Sequence, residues 1–133
     1  MTRRLDSLQD VRHDLLDLHR ALVEAERRNY ERGRGRLPDR DFLEALINDP
    51  ALGWLSALTA LIVRLDELLE EDSPEPASER EHCVAQIRNL LKPAAGATEF
   101  HRKYAEALQQ SPDVVVAHGK VMRALERAEA PWT

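Results

Sequence analysis

The sequence has little of several residue types, and each shortage narrows what the chain can be. Cys83 is its single cysteine, so no internal disulfide can form, which favours a reducing compartment. Lysine is also scarce, with 3 residues against 16 arginines, and aromatic residues make up 5% of the chain. The net charge of −5, together with the shortage of lysine and aromatic side chains, argues against a nucleic-acid-binding surface.

Long hydrophobic runs are also missing. The longest apolar stretch, Ala51 to Val63, is interrupted by Gly53, Ser56 and Thr59, and it is too short to span a bilayer. No apolar run follows the charged residues at the start of the chain, so this pattern does not indicate a signal peptide. Together these features predict a cytoplasmic protein that does not contact a membrane.

The residues that are abundant predict helices. At 133 residues and 43% hydrophobic content, the chain has the size and composition of one globular domain, residues 1–133. The apolar residues are mainly Leu, Ala and Val, and they recur three and four positions apart, which is the period of an amphipathic helix. In the first predicted helix these positions are Leu8, Val11, Leu15, Leu18, Leu22 and Ala25. The pattern therefore predicts an all-α fold.

Two prolines give the predicted helices a repeated layout. Asp49-Pro50 and Ser111-Pro112 each place a capping residue before a proline at the first position of a helix. The segments 42–50 and 104–112 align at an offset of 62 residues, with Glu, Ala, Leu and Pro coinciding. We therefore predict a four-helix up-down-up-down bundle of two similar helical hairpins, residues 5–71 and 78–129, with helix breaks at Pro50 and Pro112. The alternative is a chance resemblance between two segments rich in Leu and Ala. The helix after Pro50 is apolar on nearly all sides of its first half, which predicts a place at the bundle centre.

One histidine falls on a predicted buried stripe. His118 follows the apolar spacing of the last helix, and Ser56 takes the equivalent position in the first repeat, with Thr59 one turn later. A histidine in this position is more often a core residue bonded to a carbonyl or hydroxyl than a functional group. The functional alternative is a central pocket for a small molecule, formed by His118, Ser56, Thr59 and Trp54, with a histidine–hydroxyl contact across the pseudo-two-fold axis.

Two short motifs have metal-binding spacing but face outward. Asp10-x-x-His13 and Glu79-x-x-His82 resemble the carboxylate–histidine pairs that di-iron bundles place on facing helices. Helical phase puts these residues off the apolar stripes and toward solvent, whereas a di-iron centre needs ligands that project inward. We therefore predict no metal site and no cofactor, and we expect Cys83 to pack as a small hydrophobic residue.

Charge is distributed unevenly along the chain. Six arginines and two acids lie between residues 27 and 40, whereas eight acids and one arginine lie between residues 66 and 81. Two solvated loops are the simplest interpretation. One alternative is docking of an anion or an acidic partner by Arg32, Arg34, Arg36 and Arg40. Another is association between the oppositely charged ends of two molecules, which salt would weaken.

No motif in the sequence fixes a reaction, so the functional prediction is general. The favoured function is a helical-bundle protein–protein interaction module without catalytic activity, which forms a homo-oligomer or binds another protein. The alternative is a ligand-binding or catalytic bundle centred on His118. An interaction module should expose an apolar patch, whereas a pocket protein should enclose a cavity on which polar groups converge.

Overall fold

The computed structural model describes residues 2–70, 76–92 and 98–129, with side chains from residue 7 onward. These residues form six α-helices and one short 3₁₀ segment, which lies between the second and third helices. In chain order the elements are α1 (Thr2–Glu31), α2 (Asp39–Asn48), the 3₁₀ segment (Pro50–Leu55), α3 (Ser56–Leu68), α4 (Ala77–Leu90), α5 (Glu99–Gln110) and α6 (Pro112–Glu129). The all-α prediction is confirmed.

Helix α1 is the central element of the core. Its predicted apolar stripe is confirmed, since the six residues are at most 6% exposed: Leu8, Val11, Leu15, Leu18, Leu22 and Ala25. Helix α6 packs antiparallel along one side. Asn29, near the end of α1, bonds to Gln110, which lies two residues before α6 begins, while Asp10, near the start of α1, lies 4.0 Å from Arg127 near the end of α6. Burial of this stripe between α1 and its neighbours removes six apolar side chains from water and thereby stabilises the fold.

Helix α3 lies on another side of α1, also antiparallel to it. Its Thr59 contacts His19, and Asp66 pairs with Arg12 nearer the start of α1. The prediction that α3 lies at the centre of the bundle is wrong. Its buried stripe is Leu58, Ile62, Leu65 and Leu68, but the opposite face is exposed, including Val63 at 53%. Small residues cover most of that exposed face, so its apolar sequence did not require burial on all sides.

The four-helix bundle is not confirmed, since the residues that the structure describes form six α-helices. Both predicted breaks are present, at Pro50 and Pro112, but each break separates two helices rather than kinking one. Proline cannot donate a backbone hydrogen bond and its ring crowds the preceding turn, while a polar residue before it caps the next helix. Asp49 accepts from the Ala51 N–H at 2.9 Å, and the Ser111 hydroxyl accepts from the Val114 N–H at 3.3 Å. Across the first break, α2 is bent by 76° from the helical segment Pro50–Leu68.

The two predicted hairpins differ in length and in their packing partners. Helix α1 has 30 residues, whereas α4, its counterpart in the second half, has 14. Helix α1 packs chiefly against α6, which belongs to the other half. The internal repeat of residues 5–71 and 78–129 stays a prediction.

Candidate interaction surface

The predicted pocket histidine has a hydroxyl partner on a neighbouring helix. His118 of α6 is half-buried, and its Nδ1 lies 2.6 Å from the hydroxyl oxygen of Tyr104 on α5. Burial lowers the pKa of His118 and raises that of Tyr104, because it disfavours the charged form of each group. A neutral imidazole with an unprotonated Nδ1 can accept a hydrogen bond from the phenol O–H. This contact fastens α5 to α6 and satisfies a polar group inside the core.

The rings of Phe100 and Tyr104 lie in a row between Trp54 and His118. The ring centroids of Trp54 and Phe100 are 5.3 Å apart, those of Phe100 and Tyr104 are 5.4 Å apart, and those of Tyr104 and His118 are 5.6 Å apart. At the other end of this row, the Trp54 indole N–H donates to Glu26 at 3.1 Å. Rings at these separations fill the core between the 3₁₀ segment, α5 and α6. The row of rings is packed core, with its polar ends paired.

The other two predicted pocket residues lie on the exposed side of α3. Ser56 and Thr59 are both solvent-exposed. The Thr59 hydroxyl donates to the Leu55 carbonyl at 3.3 Å and lies 3.2 Å from Nε2 of His19. His19 is half-buried, and burial lowers its pKa. A histidine–hydroxyl contact was expected, but Thr59 forms it with His19 and His118 forms it with Tyr104. The four predicted pocket residues therefore do not converge.

The arginines at the end of α1 divide into one anchored residue and an exposed group. Arg27 donates to Glu31 at 3.0 Å and to the Leu37 carbonyl at 2.6 Å, and it lies 2.9 Å from Asp39. Its guanidinium also lies over the Phe42 ring, 5.0 Å from the centroid. The backbone N–H of Leu37 and the Arg27 guanidinium lower the pKa of Glu31. Arg27 thus fixes the connection between α1 and α2 and engages both acids of this segment.

The four arginines predicted to dock an anion are all exposed, three of them between α1 and α2 and the fourth in the first turn of α2. Arg34 stacks over the Tyr30 ring at 4.0 Å and donates to the Tyr30 carbonyl, whereas Arg32 and Arg36 extend from the loop and Arg40 is the second residue of α2. The Tyr30 hydroxyl donates to Asp49 at 2.6 Å, which ties this end of α1 to the residue that caps the 3₁₀ segment. The loop therefore forms a positively charged border beside α2.

The outward orientation predicted for the metal-like motifs is confirmed. Asp10, His13 and His82 are exposed, and Glu79 pairs with Arg64. One different carboxylate–histidine group occurs on the outer face of α1, where ligand atoms of His13, Asp14 and Asp17 lie within 4.8 Å of one another. The His13 side chain is 76% exposed. Groups of this kind are ordinary on solvated helix faces.

Helix α2 carries the largest exposed apolar side chains among the described residues. Ile47 is 73% exposed and Leu43 is 58% exposed, and they lie one turn apart on the same face. Leu46 is half-buried beside them, whereas Phe42 is 3% exposed and anchors the helix beneath Arg27. We name Leu43, Leu46 and Ile47, with the flanking Arg40 and Glu44, the α2 surface. Contiguous apolar patches of several hundred Å² mark interaction surfaces, and these neighbouring aliphatic side chains form the centre of such a candidate patch.

A groove of about 530 Å³ between α1 and α2 extends this apolar area. Four apolar residues from the two helices line it: Leu16, Val23, Phe42 and Leu46. The other four lining residues are polar or charged: His19, Arg20, Glu24 and Arg27. We name these eight residues the α1–α2 groove. Val63 of α3, which is 53% exposed, does not line this groove.

The sequence prediction missed the α2 surface, although its signal is present. Phe42, Leu43, Leu46 and Ile47 cover about 140° of a ten-residue helix, by the angle of about 100° per residue. A ten-residue helix that packs against the rest of the domain on one side buries only part of such a broad apolar arc, and the remainder stays in solvent. A broad arc on a short helix therefore predicts exposed apolar side chains.

Comparison of the chain with protein-family models, with curated proteins and with solved structures found no match. Within the described ranges, no single helix is long and apolar enough to cross a membrane. The bent pair Asp39–Asn48 and Pro50–Leu68 meets that length and composition only when its two parts are taken together.

Proposed function

We propose that this protein is a helical interaction module that binds a protein partner through the α2 surface and has no catalytic role. The observation that carries the proposal is the exposure of Ile47 and Leu43, at 73% and 58%. Aliphatic side chains gain free energy when they leave water, by about 25 cal/mol per Å² of apolar area, and folding has not used that gain here. A partner that covers them would recover it.

The polar groups around the α2 surface also favour a protein partner. The rim of an interface is polar and charged, and its centre is apolar. Here Arg40 and Glu44 flank Leu43 and Ile47, and both charged residues are exposed. Neither shares an ion pair with another residue in the part of the chain that the structure describes. They are available to a partner without breaking contacts that hold the fold.

The alternative of a central ligand pocket has less support. A pocket needs polar groups that converge on an unfilled space. His118 is already bonded to Tyr104, Trp54 to Glu26, and Thr59 contacts His19. These pairs use the polar atoms that a ligand would need, so we favour the interaction module.

Site-specific photo-crosslinking tests the proposal. A photoreactive amino acid replaces Ile47 in one variant and Gln86, an exposed residue of α4, in a matched control. Irradiation of cells that contain the protein naturally should give a protein adduct of defined mass from position 47 and none from position 86. Position 47 giving no more adduct than position 86 would refute the proposal.

A further inference from the structure

The connection between α1 and α2 carries positive charge that the fold itself does not neutralise. Six arginines and two acids lie between residues 27 and 40, and Arg27 engages both acids, Glu31 and Asp39. Four exposed arginines of the loop and of the first turn of α2 share no ion pair with another residue of the described ranges: Arg32, Arg34, Arg36 and Arg40. We name these four the basic border. A group of like charges of this kind attracts a partner of the opposite sign.

The basic border meets the exposed apolar residues of α2 at the first turn of the helix. Leu43 and Ile47 are 58% and 73% exposed and form an apolar ridge. By the angle of about 100° per residue, Arg40 lies about 60° from Leu43 and about 20° from Ile47 around the helix axis. Arg40 also lies about one turn nearer the loop than Leu43. It therefore stands in line with the ridge and connects the ridge to the arginines of the loop.

The acids of α2 lie away from this junction or are already paired. Asp39 pairs with Arg27. Asp41 lies about 160° from Leu43, on the other side of the helix. Glu44 lies on the flank of the ridge, about 60° from Ile47 and one turn beyond Arg40. The charge along the ridge therefore changes from positive beside the loop to negative at Glu44, and a partner must supply its acids at the end nearer the loop.

The apolar part of the surface suits a helix. The α1–α2 groove of about 530 Å³ shares Leu46 with the α2 surface, so the groove and the ridge adjoin. An amphipathic helix binds an apolar surface and groove by laying its own apolar face against them. A small anion or a nucleic-acid strand would meet the arginines but would leave Leu43 and Ile47 in water, without the gain that comes from covering them.

We infer that the partner of the α2 surface is an acidic amphipathic helix of another protein. Its apolar residues cover Leu43 and Ile47, and its carboxylates, at the end nearer the loop, pair with the basic border. The inference rests on the proposed function and names the chemistry of the partner.

Fluorescence anisotropy with three labelled helical peptides tests the inference on the full chain. The peptides share one apolar stripe and differ only in a terminal run of glutamate, glutamine or lysine. The glutamate peptide should bind about tenfold or more tightly than the glutamine peptide at low salt, and the lysine peptide should bind least. The net charge of −5 would by itself attract the lysine peptide, so a preference for glutamate reports the local field of the basic border. A glutamate peptide that binds no more tightly than either of the others overturns the inference.

Charge reversal locates the preference. Arg36→Glu combined with Arg40→Glu should weaken binding of the glutamate peptide about tenfold or more, and should reduce its dependence on salt, because like charges then face its carboxylates. Arg123→Glu is the control for a change of charge, since Arg123 is an exposed arginine of α6 outside the basic border, and the affinity should stay within about twofold. Circular dichroism should show that the variants keep the helical fold. Equal effects of the reversals at the basic border and at Arg123 would overturn the pairing.

Ile47→Ser tests the apolar part of the same contact. It should weaken all three peptides by a similar factor, because it removes a contact that they share. Val115→Ser is the matched control, since Val115 is 48% exposed on α6, outside the α2 surface. Binding of the glutamate peptide that Ile47→Ser leaves unchanged would show that the loop takes anions of any kind, which would overturn the amphipathic helix.

The natural partner separates this inference from the proposed function. Fragmentation mass spectra of the adduct formed at position 47 identify the segment of the partner that lies there. That segment should be acidic, with apolar residues three and four positions apart. A basic segment at position 47 overturns the inference and leaves the interaction module standing. The absence of any adduct at position 47 overturns both.

Discussion

Two leucine-to-alanine substitutions separate the core from the α2 surface. Leu58 of α3 is 0% exposed, whereas Leu43 of α2 is 58% exposed. The chemical change is the same at both positions, and both lie in helices, where alanine and leucine have similar propensities. Any large difference in the free energy of unfolding therefore reports the burial of the side chain.

The expected losses differ severalfold. Leu58→Ala removes fully buried carbon atoms and leaves a cavity, which costs about 2–5 kcal/mol. Leu43 buries a little under half of its side chain, so the lost transfer free energy is about 1 kcal/mol or less, without a cavity cost. If α2 is an interface, Leu43→Ala should reduce association far more than it reduces stability.

Urea unfolding followed by far-ultraviolet circular dichroism measures both losses. The protein must be dilute enough to be monomeric, because association stabilises the native state and would add to the apparent effect of Leu43. The free energies follow from linear extrapolation, provided that the slope stays the same in both variants. A loss at Leu43 as large as the loss at Leu58 would show that α2 packs its apolar face into the core, which would refute the interaction surface.

Further predictions concern the paired polar groups. Tyr104→Phe removes the hydroxyl that contacts His118 and should cost about 1 kcal/mol in urea unfolding. His118→Leu should also lower the thermal midpoint, and a midpoint that is unchanged or higher would contradict a required polar contact there. Burial lowers the pKa of His118 and of His19, so the folded state favours neutral imidazole; stability should be complete above the unfolded-state pKa of about 6.5 and fall as the pH falls below it toward the folded-state values. Urea midpoints from about pH 7.5 to about pH 5.5 should show this decrease, with a weaker dependence in His118→Gln. Asp49→Ala should lower the thermal midpoint more than Asp41→Ala, because Asp49 accepts from both Tyr30 and the Ala51 N–H.

The helical class and the core of α1 could be predicted from the sequence because both depend on local periodicity. The spacing of Leu8 to Ala25 repeats over five turns, which leaves one face for burial. The breaks at Pro50 and Pro112 were predictable for a similar reason, since proline and a capping residue act within one turn. The bend of 76° at the first break was not predictable, because it depends on how α2 packs over α1.

The partners of the polar residues depend on tertiary contacts that periodicity does not contain. Helical phase placed His118 near the core, but its bond to Tyr104 depends on the angle between α5 and α6. Similarly, the apolar positions of α2 indicate a broad hydrophobic arc without indicating which side is buried. In the structure Phe42 takes the buried position, which leaves Leu43 and Ile47 on the exposed side of the arc.

Hydrogen–deuterium exchange of the protein, alone and bound to the partner captured through position 47, tests the central claim most directly. The amides of α2, residues 39–48, should exchange more slowly in the complex, because the partner covers them, while those of α4, residues 77–90, keep their rate. Binding that leaves the exchange of α2 unchanged, or that protects a different helix instead, would contradict the account.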